Sequence, residues 1–266
     1  MGQTNTMKIA TWNINSIRLR IQHVIRVLNE LDLDVLCLQE TKTQDEFFPH
    51  EALADAGWGH IAFRGEKSYN GVAIISRLPI ETQHHKLWAG EDDCRHICAR
   101  INGVDIHDFY IPAGGDIADR NENPKFGHKI DFVDEMRDWF AANPPRSSVL
   151  VGDLNIAPLA EDVWSTRQLR KVVSHTDIER EKLTSAIHDG GWVDAVRNFY
   201  GPDEVLYSWW SYRARDWQAS NRGRRLDHIW VSADLKDKVR HVDIMAEARG
   251  FEKPSDHVPM TIELAD

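Results

Sequence analysis

Short, uninterrupted apolar runs that end abruptly on a polar residue most constrain what this chain can fold into. Residues 34–39 (DVLCLQ) stop at Glu40, and Val149-Leu150-Val151 stops at Gly152-Asp153. Runs this short and this apolar suit strands buried on both faces of a sheet. Around them the period changes. Residues 7–14 form a strand candidate closing in Asn13-Ile14-Asn15-Ser16. Ser16 is suited to cap a helix in which Ile17, Ile21, Val24, Ile25, Leu28 and Leu31 keep one face apolar. A second helix is expected over residues 47–56. The next portion is strand-rich, with runs at 61–63, 72–75, 97–101 and 104–111 and turn signals at Asn70-Gly71 and Asn102-Gly103. Helical spacing returns at Phe132, Met136, Trp139 and Phe140, and further helices are expected near 162–173 and 177–188. Two strands, 229–231 and 260–263, complete the pattern. The mixture predicts an α/β fold: two sheets packed together with helices outside. No Pro/Gly/Ser-rich linker divides it, so one domain is expected over 7–266 after a disordered lead-in, 1–6.

The chain has 266 residues, 42% of them hydrophobic, which is ordinary for a globular protein of this size. No apolar stretch reaches the length of a membrane helix and the first residues lack a signal-peptide core, so a cytoplasmic protein is expected. MGQTNT fits a myristoylation pattern through Gly2 and Thr6, but no basic cluster follows to supply a second membrane signal. Three cysteines, Cys37, Cys94 and Cys98, cannot all pair. No second Cys/His pair stands at zinc-site spacing, so reduced thiols are expected. The formal charge of -10 is awkward for a partner rich in phosphate. Against it, Arg213, Arg215, Arg222, Arg224 and Arg225 crowd into one short stretch, and metal-holding carboxylates face a cation in use.

The polar residues fall in a pattern. Asn13 ends the first strand, Glu40 the second, Tyr110 a third, and Asp153 with Asn155 a fourth; Asp227 and Asp256-His257 precede the last two. In α/β architectures ligands bind at strand ends, where the chain turns and side chains converge. Hard oxygen ligands such as Glu40 and the aspartates suit magnesium or manganese rather than zinc. Amides and a tyrosine hydroxyl can donate to phosphate oxygens, and a histidine held by a carboxylate can orient or activate water. Each residue alone has a bland explanation as a cap, a turn or a solvated side chain. Their shared strand-end position, across distant parts of the sequence, points to phosphate-ester hydrolysis.

The segments carrying these residues resemble the ordered motifs of exonuclease III-type abasic-site endonucleases, within the endonuclease/exonuclease/phosphatase superfamily. They are Trp12-Asn13-Ile14-Asn15-Ser16 with Arg18, Leu38-Gln39-Glu40-Thr41-Lys42, Tyr110-Ile111-Pro112, Gly152-Asp153-Leu154-Asn155, Arg225-Leu226-Asp227 and Ser255-Asp256-His257-Val258-Pro259. The resemblance implies a four-layered αββα sandwich, two mixed sheets face to face with helices on both outer sides. It implies Glu40 as main metal ligand with Asn13, Asn15 and Asp256 beside it, and Mg2+ as cofactor, with Mn2+ able to substitute. Asp153 resembles the residue that aligns or deprotonates water or protonates the leaving group. Tyr110 and Asn155 resemble phosphate-oxygen ligands, and His257 the catalytic histidine oriented by Asp227. Residues 207–213 and 221–227 resemble an abasic-site recognition region. There Trp209, Trp210 and Leu226 would form an apolar pocket that rejects an intact flipped nucleotide, and Arg213, Arg222 and Arg225 would grip phosphates. Because neighbours on a strand face opposite sides, only one tryptophan is expected to line that pocket directly. Lys125 resembles a phosphate contact, while Ala113-Gly114-Gly115 departs from the family pattern. The acidic stretch 88–95 reads as a solvated loop.

The implied activity is hydrolysis 5′ to abasic sites with 3′-5′ exonuclease or 3′-repair activity, by metal-assisted in-line attack of water. The implied partner is double-stranded DNA with abasic sites, nicks or 3′ ends, bound by a monomer without a membrane. The alternatives are another superfamily phosphoesterase, such as a phosphoinositide phosphatase or non-specific nuclease, or a catalytically silent DNA-binding relative.

Overall fold

The structure, a computed structural model, describes residues 6–265. Gly2 of the myristoylation pattern and most of the expected lead-in lie outside them. Thr6 does not belong to a lead-in: it opens the first strand and pairs with Ala265. The strands are β1 (Thr6–Asn13), β2 (Val35–Gln39), β3 (His60–Glu66), β4 (Tyr69–Ser76), β5 (Ile80–His84), β6 (His96–Ile101), β7 (Val104–Tyr110), β8 (Ser148–Asp153), β9 (Trp192–Asp194), β10 (Trp209–Trp210), β11 (Gly223–Arg224), β12 (Asp227–Ser232), β13 (Val239–Ile244) and β14 (Met260–Ala265).

They form two six-stranded mixed sheets, β13-β14-β1-β2-β4-β3 and β5-β6-β7-β8-β12-β9, with β10-β11 a separate ribbon. Each large sheet has one parallel pair at its centre, β1 with β2 and β7 with β8. Those strands carry the continuous apolar runs. The two sheets face each other across a core that includes Ile9, Val35, Cys37, Ile74, Ile106, Val151 and Ile229. The opposite face of the first sheet, Ala10, Trp12, Leu36 and Leu38, packs on Val24, Val27 and Leu28 of the helix Ile17–Glu30. The opposite face of the second packs on Phe132, Val133 and Met136 of the helix Pro124–Ala142 and on Leu183 of Asp177–Asp189. The four layers are therefore helix, sheet, sheet, helix. All three cysteines are free thiols, and among the described residues no helix is long and apolar enough to cross a membrane.

Several local expectations change. Asn70-Gly71 is not the hairpin turn between β3 and β4; Lys67-Ser68 is. Asn70 and Gly71 sit inside β4 with φ of 42° and 94°, and their carbonyls accept from Lys42 and Thr41. A Cβ on Gly71 would stand 2.1 Å from Thr41 Oγ1, so glycine is needed for this left-handed bulge to brace the chain beyond Glu40. The second helix is only His50–Asp55: Pro49 holds Phe48 extended, and residues 45–47 make a 3-10 turn. Residues 162–173 hold one helical turn, Thr166–Leu169, capped by Ser165, because Asp162 is committed to buried ion pairs. Ser16 precedes its helix but at φ 87°, without a side-chain cap; its N–H donates to the Glu40 carbonyl. Of the acidic stretch 88–95, Glu91 and Asp92 are exposed, whereas Trp88 is buried under the helices and Arg95 is buried beside Tyr110.

Candidate active site

Because β1 and β2 are parallel, as are β7 and β8, four strands deliver the residues at their ends to the same edge of the sandwich. Asn13, Glu40, Tyr110 and Asp153 arrive there from two facing sheets. The Asn13 amide joins them: its Nδ2 donates at 2.8 Å to Glu40 Oε1 and at 2.8 Å to Asp153 Oδ2. The Tyr110 hydroxyl crosses back to Glu40 Oε1 at 2.9 Å. Gly152 makes the approach of β8 to β7 possible. With φ 142°, its Cβ would lie 1.8 Å from the Phe109 carbonyl oxygen, so any larger residue would push Asp153 off the edge.

The carboxylates are held in contrasting states. Burial would raise Glu40, but Lys42, with Nζ 2.6 Å from Oε2, and the Asn13 amide outweigh it and keep the carboxylate ionised. Lys42 Nζ also donates to Asn15 Oδ1 at 2.7 Å. Glu40, Lys42, Asn15 and Asn155 all sit at φ near 50°, a conformation costing on the order of 1 kcal/mol per residue that surrounding contacts must hold. Burial pushes Asp153 upward, and the neighbouring His257 only partly opposes this. Its Oδ1 accepts from the Asn155 N–H at 2.9 Å and its Oδ2 from Asn155 Nδ2 at 3.2 Å.

His257 Nδ1 lies 2.8 Å from Asp227 Oδ2 and its Nε2 3.7 Å from Asp153 Oδ2. Burial would lower this imidazole, but Asp227 and Asp153 together drive it well above its usual value. Its backbone is pinned as well, its carbonyl accepting from Trp12 Nε1 at 2.9 Å. Asp256 Oδ2 accepts from Trp209 Nε1 at 2.9 Å and Oδ1 from Asn15 Nδ2 at 3.2 Å. Burial would raise Asp256; His257 and Trp209 outweigh it.

A cleft of about 750 Å³ opens over this edge. Glu40, Tyr110, Asp153, Asn155, Asp256 and His257 line one end; Trp164, Val173, Trp209, Leu226, Arg213, Arg222 and Arg224 line the other. The pocket expectation thus divides between the tryptophans. Trp209 faces the cleft, whereas Trp210 is buried, packed on Trp217 and Tyr207, with Nε1 donating to Asn221.

Arg225 is a correction. It is fully buried behind the cleft, with Nε 2.6 Å from Asp162 and Nη2 2.9 Å from Asp194, so its charge is neutralised inside the fold and it cannot grip a phosphate. Its contribution is to anchor the strand that delivers Leu226 and Asp227. Arg18 is exposed beside the Phe47 ring and Lys125 borders a neighbouring hollow; neither lines the cleft. Sequence reasoning missed Lys42, Trp164, Arg95, which lies over the Tyr110 ring at 4.7 Å, and Arg224 as parts of the site. Alternation along a strand was the available signal for Arg224: if Arg225 points inward, its neighbour points out.

The donor set can be tested for a divalent cation. Asp153, Asp227 and His257 bring ligand atoms within 4.8 Å of one another, and Asp227 Oδ1 is buried without a hydrogen-bond partner. With Nδ1 of His257 turned to Asp227, this trio reads as an imidazole oriented by a carboxylate. Glu40 and Asp256, which line the cleft and have spare lone pairs, are the carboxylates able to present oxygens to an ion. Carboxylate and amide oxygens without thiolate fit a hard cation.

The fold, with this cleft at the sheet edge, is that of a two-sheet α/β phosphoester hydrolase. Residues 10–257 match the Endonuclease/Exonuclease/phosphatase family, and the chain belongs to it. It is 28% identical to exodeoxyribonuclease III of Haemophilus influenzae, over 97% of this chain and 99% of that protein. An AP endonuclease from Archaeoglobus fulgidus superposes with a TM-score of 0.90 at 32% identity, covering 98% of this chain and 99% of that one. A 3′ phosphatase from Neisseria bound to a product DNA hairpin gives a TM-score of 0.90 at 33% identity, covering 98% and 100%.

Proposed function

We infer that this chain is a DNA-repair nuclease that hydrolyses the phosphodiester 5′ to an abasic site and also processes 3′ ends, with Mg2+ as its cofactor and Mn2+ as a substitute. The observation that carries the reading is the meeting, in one cleft, of Glu40, Tyr110, Asp153, Asn155, Asp256 and His257 from four separate segments. The names of the relatives supply the substrate class. The free thiols suit the reducing cytoplasm.

Glu40 and Asp256, with Asn13 and Asn15 beside them, would hold the ion; when bound, it neutralises phosphate oxygens and supplies Lewis-acid stabilisation. The protein's own groups do the rest. Asp153, pushed toward higher pKa by burial, is the acceptor for the proton of the attacking water. His257, kept protonated by Asp227 and Asp153, donates from Nε2 to the charge developing on a phosphate oxygen. Tyr110, whose hydroxyl is kept protonated by burial and by Glu40, and Asn155 supply further donors. Trp209 and Leu226 offer an apolar surface that a sugar without a base can occupy.

The test is cleavage of a duplex carrying one tetrahydrofuran abasic analogue against its intact control, with Mg2+ and with chelator. Incision at the analogue, absent at the matching position of the intact control and abolished by chelator, is expected. Equal turnover of both duplexes would indicate a non-specific nuclease, and no cleavage with any divalent ion a silent DNA-binding relative.

A further inference from the structure

Arg224 and Arg225 are adjacent but live in opposite environments. Arg225 is matched by two carboxylates. Arg224 faces the cleft, and among the described residues no carboxylate pairs with it. Its Nη1 donates to Ser174 Oγ at 2.7 Å and to the Val173 carbonyl at 3.4 Å, and its Nε is buried with no partner. Its guanidinium lies 5.2 Å from the Trp209 ring centre. Glu179, whose charge acts on Arg224, is spent on Lys129 and on the N–H groups of Ser174 and Thr176. Arg222 stands over Trp164 at 4.7 Å on the same wall. A half-buried cation without a counter-charge is costly, and a charge-assisted hydrogen bond to an anion recovers that cost. An apolar wall built only to hold a neutral sugar would have no need of one.

We propose that Arg224 is a specificity-determining residue of this cleft, selecting a lesion fragment that carries a negative charge over a neutral fragment of the same size. The inference rests on the nuclease reading above. In the hydrolysis, the oxygen of water bonds to phosphorus as the bond from phosphorus to the 3′ oxygen breaks. The 3′ oxygen takes a proton, and the phosphate leaves on the fragment. The fragment therefore extends away from the 3′ oxygen, toward Trp209, Leu226 and Arg224. A carboxylate on it comes within reach of the second Nη of Arg224, which has no partner among the described residues, where a hydroxyl offers only a neutral acceptor.

Two matched duplexes test this, one ending in a 3′-phosphoglycolate and one in a 3′-phospho-2-hydroxyethyl group. Both release the same 3′-hydroxyl end and differ by one charge. Wild-type protein with Mg2+ is expected to show a higher kcat/KM on the glycolate end. Arg224→Leu should lower the glycolate-to-hydroxyethyl ratio by about tenfold or more, as expected for one lost charge-assisted bond, and Arg224→Lys should restore part of it. Ser174→Ala, which removes the loop contact and keeps the charge, should preserve the ratio. A ratio that Arg224→Leu does not change, or that Ser174→Ala lowers equally, would overturn the proposal and leave Arg224 a loop brace. If the wild-type protein cleaves neither of these nor the abasic duplex, the nuclease reading itself fails; if it cleaves the abasic duplex alone, only the Arg224 proposal is overturned.

Discussion

The two ends of the cleft are built by opposite rules. At the reaction end the polar side chains are tied to one another across the sheets, Asn13 to Glu40 and Asp153, Tyr110 to Glu40, His257 to Asp227, with Asp227 Oδ1 left without a partner. At the recognition wall, Trp164, Trp209 and Leu226 present apolar surface, and Arg224 keeps an unengaged Nε. Such hydrogen bonding fixes atoms to within fractions of an ångström, which chemistry requires. A wall of flat aromatics and loosely held cations instead selects by shape and charge, which binding requires. The difference should show in how mutations act.

The largest effect is expected at the reaction end. His257→Ala should lower single-turnover cleavage of an abasic duplex by about 10³-fold while DNA affinity, measured with chelator, changes little. A comparable loss of affinity would mean that the imidazole binds rather than reacts.

The wall separates into surface and support. Trp210→Ala, on the buried side of the ribbon, should cost about 3–5 kcal/mol of stability in urea melts. Asp162→Asn, which leaves the buried Arg225 with Asp194 as its one carboxylate, should cost about 3 kcal/mol. Burial would raise Asp162, but the guanidiniums of Arg225 and Arg197 outweigh it and hold it down to about 2. Its contribution is full above its ordinary value of 3.8 and is lost as pH falls through about 2, so the gap between wild type and variant should narrow below pH 3.8. A gap independent of pH would show that the ion pairs are not its source. The smallest effect belongs to Trp209→Ala: about a tenfold loss of preference for the abasic over the intact duplex, with a smaller loss of stability than Trp210→Ala. Equal behaviour of the two tryptophans would erase the distinction between surface and support.

The same contrast explains what was legible in the sequence. The reaction end depends on residues that stop apolar strands, and Glu40 and Asp153 announce themselves by interrupting DVLCLQ and VLV. The layered fold follows from the same runs. The wall comes from loops and a two-strand ribbon, where periodicity is silent and partners lie far away in sequence. Arg225 looked like a phosphate ligand because its counter-charges, Asp162 and Asp194, stand 63 and 31 residues upstream. Asn70-Gly71 looked like a turn because its left-handed backbone is the same in a turn and in a bulge; only its hydrogen bonds to Thr41 and Lys42 tell them apart.

Glu40, from the first sheet, and His257, beyond the ribbon, are expected to serve one reacting phosphate. A double-mutant cycle on single-turnover cleavage of the abasic duplex at saturating Mg2+ tests this most directly. If both act in one centre, Glu40→Ala combined with His257→Ala should lose about as much rate as the worse single variant. Losses that multiply in full would assign the two residues to independent tasks and contradict the account.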